Sequence, residues 1–150
     1  RPDFANVSKR LTKRPKVYSR DAGLLHWLAG LRRPADLDTW PGRGASWEGY
    51  VIEEVLRAVE PDEAYFWATH QGAEIDLLLR KDGRLFGVEC KRADAPRLTP
   101  SIRIALADLK LQRIAVIYPG KRRYALADKV EAVPLTAVVK GMQGLFPKNK

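Results

Sequence analysis

Two dipeptides, Gln71-Gly72 and Asp82-Gly83, cut the stretch 64–91 into three lengths too short for stable helices, each carrying strand-forming residues. They read as strands over 64–69, 73–79 and 85–91, joined as a β-meander. A two-residue turn at Asp82-Gly83 also fixes the register, because it sets Lys81 opposite Arg84 and the pairing then runs back residue by residue. Asp76 is thereby expected to face Glu89, and Glu74 to face Lys91. Strict alternation would project Glu74, Asp76, Glu89 and Lys91 from one face, and Ile75, Leu77, Val88 and Cys90 from the other.

The meander sits within a pattern of alternating helices and strands. The opening stretch, 1–15, is polar and basic with Pro2 and Pro15, and reads as a tail or as a linker from an upstream domain. The remainder, 16–150, reads as one domain. A short helix is predicted from Asp21 as N-cap to Gly30 as terminator, with Leu24, Leu25, Trp27 and Leu28 as its apolar face. The Pro- and Gly-containing stretch 32–44 reads as a loop around Trp40. From Ser46 to Val59, Trp47, Val51, Ile52, Val55, Leu56 and Val59 fall on one side of a helix. Thr99 followed by Pro100 marks the start of another helix, running to about Leu111. The run 114–118 suits a buried strand, 124–126 and 132–133 short edge strands, and 135–146 a terminal helix. The expected architecture is α/β, a central mixed sheet with a β-meander flanked by helices.

A chain of 150 residues with 45% hydrophobic residues can bury one core of ordinary size. No apolar run approaches the roughly 18 residues a membrane span needs, and no signal-peptide pattern opens the chain, so a soluble, cytoplasmic protein is expected. The single cysteine excludes an internal disulfide, and no Cys/His cluster has the spacing of a structural zinc site. The first residue is Arg1 and the single methionine is Met142, which reads as a piece of a longer polypeptide or a processed product. A formal net charge of +9 favours an anionic partner such as nucleic acid, although solubility alone would also account for it. The basic residues gather at Lys9, Arg10, Lys13, Arg14 and Lys16, at Arg32 and Arg33, at Arg80, Lys81 and Arg84, and at Lys121, Arg122 and Arg123. Each cluster taken singly reads as a solvated face.

The candidate chemistry lies with the acids. On a helical wheel Glu48 falls in the middle of the apolar face made by Val51, Ile52, Val55 and Val59, while Glu53 and Glu54 fall on the solvated side. A carboxylate aimed at a core is costly unless a cation or donors receive it. The plainer alternative is that Glu48 lies at the rim and favours the helix dipole. Two opposed carboxylates, Asp76 and Glu89, would repel by about 3 kcal/mol at roughly 5 Å and an effective dielectric of about 20. A divalent cation offsets this, since Mg²⁺ takes one or two carboxylates and leaves its other positions to water and phosphate oxygens. Lys91, on the same face, could then position an attacking water or neutralise developing charge. The alternative is a surface hairpin in which Glu74 pairs with Lys91, and Asp76 with basic neighbours.

Glu48, Ile75-Asp76 and Glu89-Cys90-Lys91, in this order on a helix and two meander strands, resemble the PD-(D/E)xK, or restriction-endonuclease-like, nuclease superfamily. The runs Lys16 to Leu25, Gly44 to Glu48, Phe66 to Thr69, Gly72 to Asp76 and Val88 to Lys91 further resemble a C-terminal domain of unknown function of prokaryotic AAA-type ATPases. That likeness covers about 16–139. It implies that Asp76 and Glu89 bind Mg²⁺ or Mn²⁺, that Glu48 supports the metal directly or through water, and that Lys91 assists the nucleophile. It also implies upstream ATPase and winged-helix modules, while the absence of G-x-x-x-x-G-K-[ST] means that this segment does not itself hydrolyse ATP. Two departures stand out. Ile75 occupies the place of the proline, and the polar residue often supplied by the next helix has only Arg103 and Lys110 as candidates.

The expected function is metal-dependent phosphodiester hydrolysis on DNA. Cleavage of both strands would call for two active sites, for which a homodimer is one arrangement. The competing expectations are a catalytically silent module that binds DNA or protein for its ATPase, and a plain assembly domain. Elsewhere, His70 reads as a turn residue, His26 as a helix-face residue, and Cys90 as a small core residue. Trp27, Trp47 and Trp67 read as core, leaving Trp40 as the tryptophan best placed to stack a base.

Overall fold

The computed structural model describes residues 22–147. The basic tail, the 9–16 cluster, the Asp21 cap and the first part of the Lys16 to Leu25 motif lie outside the described residues. Three helices come first: α1 (Ala22–Leu28), α2 (Pro34–Thr39) and α3 (Arg43–Val59). The meander follows as β1 (Glu63–Ala68), β2 (Glu74–Lys81) and β3 (Arg84–Cys90), then α4 (Pro100–Leu109) and β4 (Ile114–Tyr118). The chain continues with β5 (Tyr124–Ala127), β6 (Val130–Pro134), a 3-10 helix (Leu135–Lys140) and α5 (Gly141–Leu145). The strands form one six-stranded mixed sheet in the order β1-β2-β3-β4-β6-β5. The meander is antiparallel, whereas β3 with β4 and β4 with β6 run parallel.

The turn chemistry behaves as its residues dictate. Asp82 and Gly83 take φ of 50° and 72°, the pair of positive values that a tight two-residue hairpin needs. The register follows from it, with Lys81 opposite Arg84 and Leu77 opposite Val88. At the other turn Gly72 has φ 85°, and the buried Thr69 side chain accepts from the Ala73 N–H at 3.1 Å. Thr99 caps α4, its hydroxyl accepting from the Ile102 N–H, with Pro100 at the first helical position.

Two apolar layers sandwich the sheet. On one side Val51, Ile52, Val55 and Val59 of α3 meet Leu77, Leu79, Phe86, Val88, Cys90, Ala115 and Ile117, closed by Leu145 and Phe146. On the other, Ile102 and Ala105 of α4 meet Trp67, Ile75, Leu78, Ile114, Val116 and Val130. Every residue of β4 is buried, as expected of a strand covered on both faces.

Several sequence expectations change. The stretch read as a loop contains α2, because Pro34 starts a turn whose Asp36 carboxylate accepts the Arg33 N–H at 2.9 Å and pairs with the Arg33 guanidinium. Helix α3 begins at Arg43, three residues before Ser46. Leu24, Trp27 and Leu28 are exposed, since α1 meets α3 through His26, whose Nε2 lies 2.6 Å from Ser46 Oγ. Trp27, at 64% exposure, is therefore not core, while Trp67 is buried and Trp47 packs on the α3 layer. Strand β6 is not an edge: it lies between β4 and β5, and β5 alone of the two is peripheral. The expected terminal helix is split, because Gly141 takes φ 56° and ends the 3-10 turn before α5 begins.

The most consequential difference lies in β2. Tyr65 pairs with Leu78, but Trp67 pairs with Ile75, so the single Phe66 stands opposite two residues, Asp76 and Leu77. This bulge reverses the alternation. Ile75 packs in the α4 layer and Leu77 in the α3 layer, whereas strict alternation had put them together. Among the described residues, no helix is long and apolar enough to cross a membrane.

Candidate active site

The bulge places Asp76 where β2 and β3 part company. The paired ladder of these two strands ends at Leu77 and Val88, while β3 continues beside β4, Glu89 opposite Val116 and Cys90 opposite Ile117. In the space that opens, side chains take over from the backbone ladder. Asp76 Oδ2 accepts from the Cys90 N–H at 2.8 Å, and Glu89 Oε2 accepts from the Asp76 N–H at 3.4 Å. Each acid thus holds the other's strand, and the two carboxylates are brought together at 6% and 3% exposure.

Burying two acids side by side is costly without compensation. Part of the compensation is visible. Lys91 Nζ lies 2.7 Å from Glu89 Oε1, a charge-assisted contact at the end of β3. Burial draws the Lys91 pKa down, but the hydrogen bond to Glu89 and the charges of Glu89, Asp76 and Glu74 outweigh it and leave the ammonium held above its ordinary value. The ion pair accounts for one Glu89 oxygen and the Asp76 N–H for the other. Asp76 Oδ2 has the Cys90 amide.

Glu48 stands half-buried in the first turns of α3, one turn before Ile52 and on the side that packs against the sheet. Its charge is felt at Cys90, whose thiol is pushed well above its ordinary value first by burial and then by Asp76, Glu48 and Glu89, with Lys91 opposing. The Cys90 sulfur, on the α3 side, therefore marks where the fields of the three acids overlap. It is a core residue and a poor nucleophile. Alternation places Glu89 and Gly87 on the opposite side from Phe86, Val88 and Cys90, and a Cβ on Gly87 would meet Ile114 of the α4 layer. The centre thus lies at the end of β3, where its pairing with β2 stops. Among the described residues, no three His, Cys, Asp or Glu side chains are arranged to hold one metal ion, so the two-carboxylate centre of Asp76 and Glu89 is the arrangement on which cation binding can be built. That donor set suits Mg²⁺ better than a softer metal, because it offers hard oxygen donors and leaves most of the coordination sphere to water or phosphate.

Residues 43–138 match the family model described as Domain of unknown function (DUF4143). The chain belongs to this family. Two curated relatives of this DUF4143 domain are uncharacterized proteins of Mycobacterium bovis and Mycobacterium tuberculosis, each 45% identical over 138 residues. The match takes in 92% of this chain and 31% of each relative, so the chain spans about a third of their length. No solved structure matches it. All four candidate residues, Glu48, Asp76, Glu89 and Lys91, lie inside the matched segment of the DUF4143 domain.

Arg103 and Lys110, the candidates for a polar residue from the following helix, are both exposed, and Lys110 forms the left-handed C-cap of α4. His70 is an exposed turn residue. Sequence reading missed two things. One is the Cys90 amide, which holds Asp76; backbone donors leave no residue-type signal. The other is a stripe along α3, Arg43, Ser46, Trp47 and Tyr50, whose three-and-four spacing was legible but was masked by the reading of 32–44 as a loop. These residues line a pocket of about 370 Å³ with His26 and Arg92. A larger cleft, about 910 Å³, opens at the other end of the meander beside Lys81, Arg84, Arg113 and Lys129, and contains none of the candidate residues.

Proposed function

We propose that this DUF4143 domain is a metal-dependent phosphodiesterase acting on nucleic acid, DNA first, within the restriction-endonuclease-like class of folds. The observation that carries the reading is the pair of buried carboxylates, Asp76 and Glu89, held at the parting of β2 and β3 with Lys91 on Glu89. Two buried acids side by side, each accepting from a backbone amide of the facing strand, favour a site built to receive a cation. Asp76 and Glu89 would hold Mg²⁺ or Mn²⁺, and Glu48 would add its charge from α3. A bound divalent cation supplies charge neutralisation at the phosphate and lowers the pKa of a bound water.

The chain's own residues would do the rest. The Cys90 amide fixes the Asp76 carboxylate, so the acid is oriented before any substrate arrives. Lys91, kept protonated at neutral pH by its acidic neighbours, serves as an electrostatic partner for a phosphate oxygen or for the attacking water. It cannot act as a general base in that state. The net charge of +9 favours association with a polyanion. Upstream ATPase and winged-helix modules in the parent protein, and a homodimer for double-strand cleavage, are part of this proposal.

One observation favours a second reading, a nuclease-fold module that binds without cutting: the Lys91–Glu89 pair already neutralises one acid without a metal. Calorimetric titration of Mg²⁺ and Mn²⁺ into the chain and into Asp76→Asn separates the two. Incubation of the same samples with labelled single-stranded, duplex and branched DNA completes the test. Metal binding and cleavage, both lost in the variant, are expected; a folded protein that binds neither metal leaves only the accessory role.

A further inference from the structure

We infer that the pocket beside the first turns of α3 is a subsite for one unpaired nucleotide of the nucleic-acid strand, taking its base between Trp47, Tyr50 and His26 and its phosphate on Arg43 and Arg92. The inference rests on the reading of the domain as one that handles nucleic acid, and it adds which form of the strand is preferred.

Position comes first. Trp47 precedes Glu48 in α3 and Arg92 follows Lys91 after β3, so two lining residues adjoin the acidic centre in the chain, while α1 and α2 supply the remaining wall. A strand held at that centre would thus have the pocket among its near neighbours along α3 and the end of β3. Helix α3 serves two sides at once. Val51, Ile52, Val55 and Val59 turn to the sheet, while Arg43, Ser46, Trp47 and Tyr50, spaced three, one and three apart, form the stripe that lines the pocket.

Chemistry comes second. At about 370 Å³ the pocket is at the small end of the range for organic ligands, a size that suits a single nucleotide better than a folded element. Its walls combine aromatic rings with two guanidinium groups, the pairing that unpaired nucleotides require: a π-face for the base and a cation for the phosphate. Asp38 is the single acid of the lining, and Arg43 already engages it at 3.5 Å. The walls are also fixed in advance. His26 Nε2 lies 2.6 Å from the buried Ser46 hydroxyl, and the His26 ring meets Trp40 edge-on at 5.9 Å. The Trp47 indole N–H is buried, with no acceptor among the described residues, so Trp47 offers the pocket its ring and not its N–H. Tyr50, at 43% exposure, is the ring free to close over such a base.

The test uses the 150-residue chain in EDTA, so that neither metal nor cleavage is required, with fluorescence anisotropy as the readout. The probes are fluorescein-labelled dT15 and an abasic phosphodiester of the same length, which carries the same charge without bases, with thymidine 5′-monophosphate as competitor. Wild type is expected to prefer dT15 at least tenfold. Tyr50→Ala is expected to weaken dT15 binding five- to tenfold and to leave the abasic strand within twofold, and Arg92→Gln to weaken both. Thermal melts verify that both exposed-site variants fold. Equal binding of the two strands by wild type, or an equal loss on both in Tyr50→Ala, overturns the subsite. Displacement by the free mononucleotide as readily as by dT15 overturns the strand as its ligand. Adding Mg²⁺ to the same samples reads the nuclease reading separately: a chain that takes bases but cuts nothing keeps the subsite and loses the enzyme, and one that cuts without preferring bases does the reverse.

Discussion

At the level of single residues, the site turns on what each acid gains from its neighbours. Asp76→Asn keeps an oxygen for the Cys90 amide and removes one of two adjacent buried charges. It should therefore leave the protein folded, as a thermal melt would verify, while lowering Mg²⁺ affinity at least tenfold by calorimetry. Lys91→Met does the opposite: it leaves Glu89 buried without its cation and should cost about 1–3 kcal/mol in denaturant titrations, a range reduced from that of a fully buried pair because Lys91 is 39% exposed. Mg²⁺ should restore part of that loss. The sign with pH follows from the direction of the Lys91 shift. A lysine held above its ordinary value contributes stability that is complete below the ordinary lysine range and disappears as pH rises through the folded value. The stability gap between wild type and Lys91→Met should thus be flat across neutral pH and narrow only in strongly alkaline solution, a trend that urea titrations at successive pH values would follow.

Secondary-structure elements were legible where local chemistry decides them. The Asp82-Gly83 turn, the Thr99 cap and the apolar face of α3 are set by the backbone angles, hydroxyl placement and spacing of a few residues, and a sequence carries those directly. Elements set by distant contacts were not. The outward turn of Leu24, Trp27 and Leu28 depends on His26 reaching Ser46, twenty residues away, and the interior position of β6 depends on a parallel pairing with β4 that no turn announces. The break at Gly141 could have been suspected from the glycine, but its cause is close packing. A Cβ there would approach the Ala58 carbonyl oxygen to 2.6 Å, and φ is 56°. Gly141→Ala should accordingly destabilise the fold by roughly 2–4 kcal/mol, more than the roughly 1 kcal/mol expected for Gly83→Ala, whose positive φ is matched by open space. Paired thermal melts of the two variants compare these costs.

Across the whole molecule, the α/β class, the meander and the adjacency of Asp76 to Glu89 were all readable, because the Asp82-Gly83 turn fixes the β2–β3 register locally. The expectation of one shared face for Ile75 and Leu77 failed, because the bulge opposite Phe66 is a property of pairing with β1 and not of β2 alone. Charge is a property of the whole as well. If the domain tracks a phosphate backbone with several of its lysines and arginines, log K for a DNA strand should fall linearly with log salt, with a slope near −0.7 per phosphate neutralised on single strands; a flat dependence measured by anisotropy would reject nucleic acid as the partner. The bulge has one last consequence. The half of β2 before it takes its register from the turn at Gln71-Gly72, and the half after it takes its register from Asp82-Gly83. Asp76 sits at the joint between two separately anchored segments, so the loop that delivers the acid can change in length without turning Leu77 and Leu79 out of the core.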